Sequence, residues 1–147
     1  MAVAERWKGY KELPDDVSDK LNRLKDFWDK EKNVLLVYLF GSLAEKKKAN
    51  DIDLAILFNK KPSYKNISEL SEKLYKRIGT QRIDIVDLMR ASPVFKFNII
   101  TSGKLLFKRQ IDTANDFELR VIKEHMDTKY LRKVQRWFLE EKVLKSA

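Results

Sequence analysis

Four short apolar runs, separated by segments with helical periodicity, constrain the fold of this chain more than any other feature. The runs are rich in β-branched and aromatic residues and predict strands over 33–41, 52–58, 82–88 and 104–107. Apolar residues at three- and four-residue intervals predict the helices, over 14–28, 62–78, 92–100 and about 112–145. This order predicts an α/β (α+β) fold, in which helices flank a small mixed sheet and a long helix closes the chain.

The length of 147 residues suits one domain, with a catalytic core at about 14–110 and the long helix at about 112–145. The chain has no internal repeat and no Gly/Ser linker. Its N-terminus lacks the apolar segment of a signal peptide, and no apolar run approaches the ~20 residues that cross a bilayer. We therefore expect a cytoplasmic protein without a membrane partner.

The amino-acid composition excludes several kinds of functional site. There is no cysteine and only one histidine, so thiolate metal sites, cysteine nucleophiles and histidine-rich sites are excluded. Any catalytic metal would have to be a hard cation held by carboxylates. The net charge of +9 favours polyanionic partners such as nucleotides, nucleic acid or an acidic protein surface. Because the aromatic residues do not cluster in an RNA-reading motif, nucleic acid is the least favoured of these.

Asp51 and Asp53 form the first half of a predicted metal site. Residues i and i+2 of a strand project from one face, so these carboxylates should stand side by side, away from the face that Ile52 and Leu54 bury. Two like charges held so close repel unless a cation lies between them, and Mg²⁺ accepts carboxylate and phosphate oxygens. The alternative is an ordinary solvated strand end.

Asp84 is the predicted third carboxylate. It lies in the middle of an apolar strand, where an acidic group needs a partner, and a neighbouring strand carrying Asp51 and Asp53 would bring all three together. A salt bridge to Arg82 or to a lysine is the alternative. Asp87 falls three residues later, on the opposite strand face, and is interpreted as a surface residue.

Gly41 and Ser42 end the first strand and supply the predicted phosphate contacts. A glycine lets backbone N–H groups approach a phosphate closely, and the serine adds a hydroxyl donor. The connection that follows is polar and contains three lysines at 46–48, which either bind phosphate or form a solvated loop. A phosphate cradle beside paired carboxylates is typical of phosphoryl or nucleotidyl transfer.

These residues resemble the polymerase β-like nucleotidyltransferase superfamily, whose signature is Gly-Ser, a short connection, Asp-x-Asp and a later strand carboxylate. The Leu-Phe-Gly-Ser at 39–42, Asp-Ile-Asp-Leu at 51–54 and the strand at 83–88 are similar to its minimal nucleotidyltransferase (MNT) branch. The segment 90–107 and the long closing helix also resemble that branch. The resemblance covers about residues 14–140.

The resemblance implies site roles. Asp51 and Asp53 would bind two Mg²⁺ ions, and Asp84 would ligate one of them and activate the attacking hydroxyl. Gly41 and Ser42 would contact the β- and γ-phosphates of ATP, the nucleotide substrate.

The MNT branch pairs with HEPN-domain toxins, so the resemblance also implies an antitoxin that transfers AMP from ATP to a tyrosine of a HEPN partner, its long helix forming part of the docking face. Two alternatives stay open: nucleotidyl transfer to a small molecule, as in aminoglycoside-modifying relatives, and a catalytically weak antitoxin that acts by binding. Nucleotide preference and a homo-oligomer are also left open. His125 is interpreted as a surface or packing residue, and Trp28, Trp137 and Phe138 as core or interface anchors.

Overall fold

The structure is a computed structural model, and it describes residue 13 and residues 16–46 and 50–144. The predicted first helical turn at Pro14, the lysines at 47 and 48 and the last predicted helical residue, Lys145, lie outside the described residues.

A four-stranded mixed sheet forms the centre of the described chain. Its strands are β1 (Val34–Phe40), β2 (Ile52–Phe58), β3 (Ile83–Asp87) and β4 (Lys104–Lys108), in the spatial order β3-β2-β1-β4. Strand β1 is antiparallel to both β2 and β4, whereas β2 and β3 run parallel. The predicted small mixed sheet is therefore confirmed.

The helices follow the predicted order with two differences. They are α1 (Val17–Asn22), α2 (Lys25–Lys30), α3 (Ser42–Lys46), α4 (Tyr64–Ile78), α5 (Pro93–Ser102) and α6 (Ile111–Phe138), which continues as a π-helical segment over Leu139–Leu144. The predicted first helix is broken after Asn22, and its two pieces still bury the predicted apolar face. The polar connection after β1 contains the short helix α3.

The two faces of the sheet build two separate cores, because side chains alternate along each strand. One core lies under α1, α2 and α4 and contains Leu54, Ile56 and Trp28. The other lies under α5 and α6 and contains Tyr38, Ala55, Leu57, Ile99 and Phe117. Each helix layer thus covers one defined side of β2, the strand that begins beside Asp51.

Arg109, directly after β4, ties strand β1 to helix α2. Its guanidinium donates hydrogen bonds to the carbonyl oxygens of Val34 at 2.9 Å, Trp28 at 2.8 Å and Glu31 at 2.9 Å. The planar fork of arginine suits several carbonyl acceptors at once. This residue carries no signal in the sequence, since its partners are backbone atoms far away along the chain.

The long helix α6 packs on the sheet through its N-terminal half. Phe117 and Val121 are buried in the core, whereas Leu131, Val134 and Phe138, further along the helix, are exposed. Tyr38 donates a 2.8 Å hydrogen bond to Glu118 and fastens this half to β1. Within the described chain, no helix is both long and apolar enough to span a membrane.

Candidate active site

Asp51 and Asp53 lie at the start of β2. Ile52 and Leu54 are fully buried in the core under α1, α2 and α4, whereas Asp53 shares the opposite face with Ala55. Both aspartates are half-buried. The alternation predicted from the sequence is present, because the hydrophobic faces of β2 leave no other orientation for Asp53.

Asp84 lies beside Asp53 on the neighbouring parallel strand. The register of β2 and β3 pairs these two residues directly, and Ile83 and Ile85 turn toward the opposite core. The carboxyl groups of Asp53 and Asp84 lie close enough for hydrogen-bond and charge interactions with Asp84 to act on the pKa of Asp53. The side chain of Asp84 is exposed, although its strand neighbours are apolar. Strand β3 is an edge strand of the sheet, and this leaves Asp84 open to solvent.

The electrostatics of this cluster centre on Asp53. Burial raises the pKa of Asp53 above its ordinary value, and the charges of Asp84 and Asp51 and the hydrogen bond with Asp84 raise it further. Each of these contributions comes from crowding negative charge into a partly dry position. The cluster therefore disfavours its own fully ionised state and would be stabilised by a bound cation.

Gly41 closes one side of the cluster. It lies between β1 and α3 with φ +76°, a left-handed conformation that favours glycine. A β-carbon at this position would overlap the carboxylate oxygen Oδ2 of Asp53. Phe40, the residue before it, pairs with Asp53 across β1 and β2. The turn favours glycine here, and the missing side chain leaves room for the Asp53 carboxylate in its observed position, which the sequence pattern did not reveal.

Ser42 begins α3 directly after Gly41 and is exposed. The structure thus brings four of the five predicted site residues, Gly41, Asp51, Asp53 and Asp84, into one patch, with Ser42 adjoining it.

The three aspartates supply carboxylate oxygens, which are the ligands that hard cations prefer. Among the residues that the structure describes, no three acidic, histidine or cysteine side chains are arranged as a ready metal site. Asp53 and Asp84 are in contact, and Asp51 acts on Asp53 through its charge. The donor set fits a cation that takes part of its coordination from a nucleotide phosphate, as Mg²⁺ does.

Asp87 is outside this patch, and its interpretation as a surface residue is wrong. Its side chain lies on the opposite face of β3, as predicted, but is buried. It accepts a 3.0 Å hydrogen bond from the backbone N–H of Met89 and lies 3.8 Å from Arg90. Asp87 therefore caps the 3₁₀ turn Leu88–Arg90 that follows the strand.

Two aromatic contacts join α5 to its neighbours, and one of them includes Phe40, which pairs with Asp53. Phe40 meets Phe95 of α5 edge to face, with ring centroids 5.4 Å apart. His125 stacks on Phe97 with centroids 3.9 Å apart, which confirms it as a packing residue. Neither contact was predicted, because each joins residues on different elements that no local pattern connects.

Comparison with known proteins places this geometry among nucleotide-transferring enzymes. Over 81 residues the chain is 37% identical to the protein adenylyltransferase MntA of Shewanella oneidensis, an alignment that covers 52% of this chain and 56% of that protein. The chain thus matches only about half the length of this curated relative.

Two solved structures share the fold. The first, described as a tri-AMPylated Shewanella oneidensis HEPN toxin in complex with MNT antitoxin, has a TM-score of 0.63 and 25% identity, covering 84% of this chain and 98% of the other. The second, a toxin–antitoxin structure with AMP-PNP, has a TM-score of 0.62 and 26% identity, covering 87% and 99%.

The family model described as polymerase beta, nucleotidyltransferase, matches residues 22–112, which include β1 to β4 and all five predicted site residues. This match extends over more than half of the chain. The chain therefore belongs to the polymerase beta nucleotidyltransferase family.

Proposed function

We propose that this chain is a Mg²⁺-dependent protein adenylyltransferase that transfers AMP from ATP to a tyrosine hydroxyl of a HEPN-domain toxin and so acts as its antitoxin. The observation that carries the proposal is the pairing of Asp53 with Asp84 across β2 and β3, beside Asp51 and against Gly41. The names of the similar proteins, an adenylyltransferase and MNT antitoxins in complex with HEPN toxins, support the same acceptor.

Asp51, Asp53 and Asp84 would hold the metal ions. Bound Mg²⁺ would neutralise phosphate charge and favour in-line displacement of pyrophosphate from the α-phosphate. Asp53 is the residue in contact with both the glycine turn and Asp84, so it would anchor the site. The cation would also remove the repulsion that raises the pKa of Asp53.

Gly41, Ser42 and Asp84 would act on the two reactants. The backbone of the Gly41–Ser42 turn and the Ser42 hydroxyl would donate hydrogen bonds to the β- and γ-phosphates and orient the leaving group. Asp84 is the exposed carboxylate of the pair and is reachable by a partner's side chain, so it would accept the proton of the attacking tyrosine hydroxyl.

The test is transfer of AMP to a HEPN-domain toxin of the kind found in the similar solved structures. We expect intact-mass measurement to show the gain of one or more AMP groups on that protein when Mg²⁺ and ATP are present. EDTA or Asp53→Asn should abolish the gain. Asp87→Asn is the matched control on the same strand pair, because Asp87 lies on the other face of β3 and an asparagine can still accept from Met89.

A second readout separates catalysis from inhibition by contact. If Asp53→Asn neutralises the toxic partner as fully as the unaltered chain does, while the mass of the partner stays unchanged, then binding alone is the function and the proposed transfer is wrong. Equal AMP transfer by Asp53→Asn would instead refute the assignment of the metal ligands.

A further inference from the structure

Helix α6 carries an apolar stripe on the side that faces away from the sheet. The stripe residues are between 40% and 68% exposed, although each is apolar or aromatic. They are Leu119, Ile122, Met126, Tyr130, Val134 and Trp137. At about 100° per residue they fall within an arc of about 120°, and Leu119 and Trp137 lie on the same line, about five turns apart.

The stripe is distinct from the face that packs on the sheet. Ala114, Phe117 and Val121 bury the inner face of the helix, about 180° away from the centre of the stripe. A helix that serves one core carries one apolar face, with polar residues opposite. Helix α6 has a second apolar face about 27 Å long, and an exposed patch of that kind marks an interaction site.

The spacing of the stripe is the same in both directions. From Leu119 the steps are three, four, four, four and three residues, so the pattern is symmetric about position 128. An antiparallel copy of α6 centred there would set Leu119 against Trp137, Ile122 against Val134 and Met126 against Tyr130. Every stripe position would thus meet another stripe position, which an isologous two-fold contact requires.

Charge along α6 favours the same arrangement. The segment 112–124 contains four acidic and two basic residues, whereas the segment 127–136 contains one acidic and four basic residues. Two parallel copies would bring like-charged halves together, and two antiparallel copies bring unlike halves together. The globular bodies would lie on opposite outer sides of the pair, because each packs on the inner face of its own helix.

We propose that α6 is a dimerisation helix and that its outer stripe pairs with the stripe of a second copy of this chain in antiparallel orientation. The symmetric spacing of the stripe and the opposite charges of the two halves of α6 identify a second copy of this chain as the partner. The inference concerns a surface away from the aspartate cluster and does not depend on the transfer of AMP.

The first test is the mass of the full chain in solution, measured by light scattering or sedimentation over a range of concentrations. We expect twice the mass of one chain. Met126→Glu places a charge at the centre of the stripe and should raise the dissociation constant of the dimer by on the order of a hundredfold. Leu131→Glu is the matched control: Leu131 is 57% exposed on the same helix but outside the stripe. It should leave the dimer intact.

The second test reports the direction of pairing. The chain contains no cysteine, so single cysteines can be introduced without interference. We expect an equimolar mixture of Leu119→Cys and Trp137→Cys to form a disulfide-linked dimer under mild oxidation. Each variant alone should not, because its two copies of the cysteine would lie about 27 Å apart.

Circular dichroism of each variant checks that the helix and sheet content is retained. A monomer at all concentrations, a dimer that Met126→Glu leaves as strong as before, or cross-linking of either cysteine variant alone would each overturn the proposal. If the stripe instead binds a different protein, this chain alone will be a monomer at all concentrations, and the proposal is wrong.

Discussion

Replacing Gly41 with alanine adds one methyl group between the turn after β1 and the carboxylate of Asp53. Gly41 has φ +76°, where an alanine is strained, and the added β-carbon would overlap Asp53 Oδ2. These are two separate effects. The backbone strain acts on stability, whereas the overlap acts on the position of one predicted metal ligand.

The backbone strain lowers the free energy of unfolding, whereas the displaced carboxylate lowers the rate of the reaction. A left-handed conformation costs a non-glycine residue about 1–2 kcal/mol, and part of this is offset because alanine restricts the unfolded chain. The overlap adds little to that cost, since the Asp53 carboxylate is the far end of a side chain that can rotate. Rotation would, however, remove it from Asp84, and a displacement of about 1 Å in an active site can lower the rate about a hundredfold.

Gly79 provides the matched control for this experiment. It ends α4 with φ +92°, and a β-carbon there would meet nothing within 4 Å. Thermal unfolding should show that Gly41→Ala and Gly79→Ala lose similar stability, about 1 kcal/mol each. The rate of AMP transfer should fall about a hundredfold in Gly41→Ala only.

Two results would refute this reasoning. Full activity in Gly41→Ala would mean that the carboxylate of Asp53 does not need its observed position. Equal loss of activity in both variants would mean that backbone strain, and not the contact with Asp53, causes the loss.

The remaining predictions concern stability. Arg109→Lys should lower the free energy of unfolding by about 3 kcal/mol in urea denaturation. The reason is that an ammonium group cannot reach all three carbonyl oxygens that the guanidinium binds. A free energy of unfolding that is unchanged within error would contradict this role. Tyr38→Phe should cost about 1 kcal/mol through loss of the 2.8 Å bond to Glu118, with AMP transfer retained. In the absence of Mg²⁺, the Asp53→Asn variant should be at least as stable as the unaltered chain, because it lacks one of three crowded negative charges. A clear drop in its melting temperature would contradict charge repulsion at this site.

Most of the secondary structure and the composition of the site could be predicted, because both depend on local patterns. The apolar runs at 33–41 and 52–58 contain the observed β1 and β2, and the period of two in β2 correctly assigned Asp53 to the face opposite Ile52 and Leu54. The exposure of single residues could not be predicted, because it depends on elements outside their own strand, and the surface interpretation of Asp87 was wrong. Asp84 is exposed because β3 lies at the edge of the sheet, and Asp87 is buried because the chain turns into a 3₁₀ helix after it.

By itself the sequence determined which residue types were present and which face of each element they occupy, since these follow from the backbone periods of strands and helices. The tertiary structure alone decided the parallel register that sets Asp53 beside Asp84, the close approach of Gly41 to the Asp53 carboxylate, and the exposure of the outer stripe of α6. These features depend on which distant segments meet. That choice is made by the packing of the whole sheet and its two helix layers, which no local pattern contains.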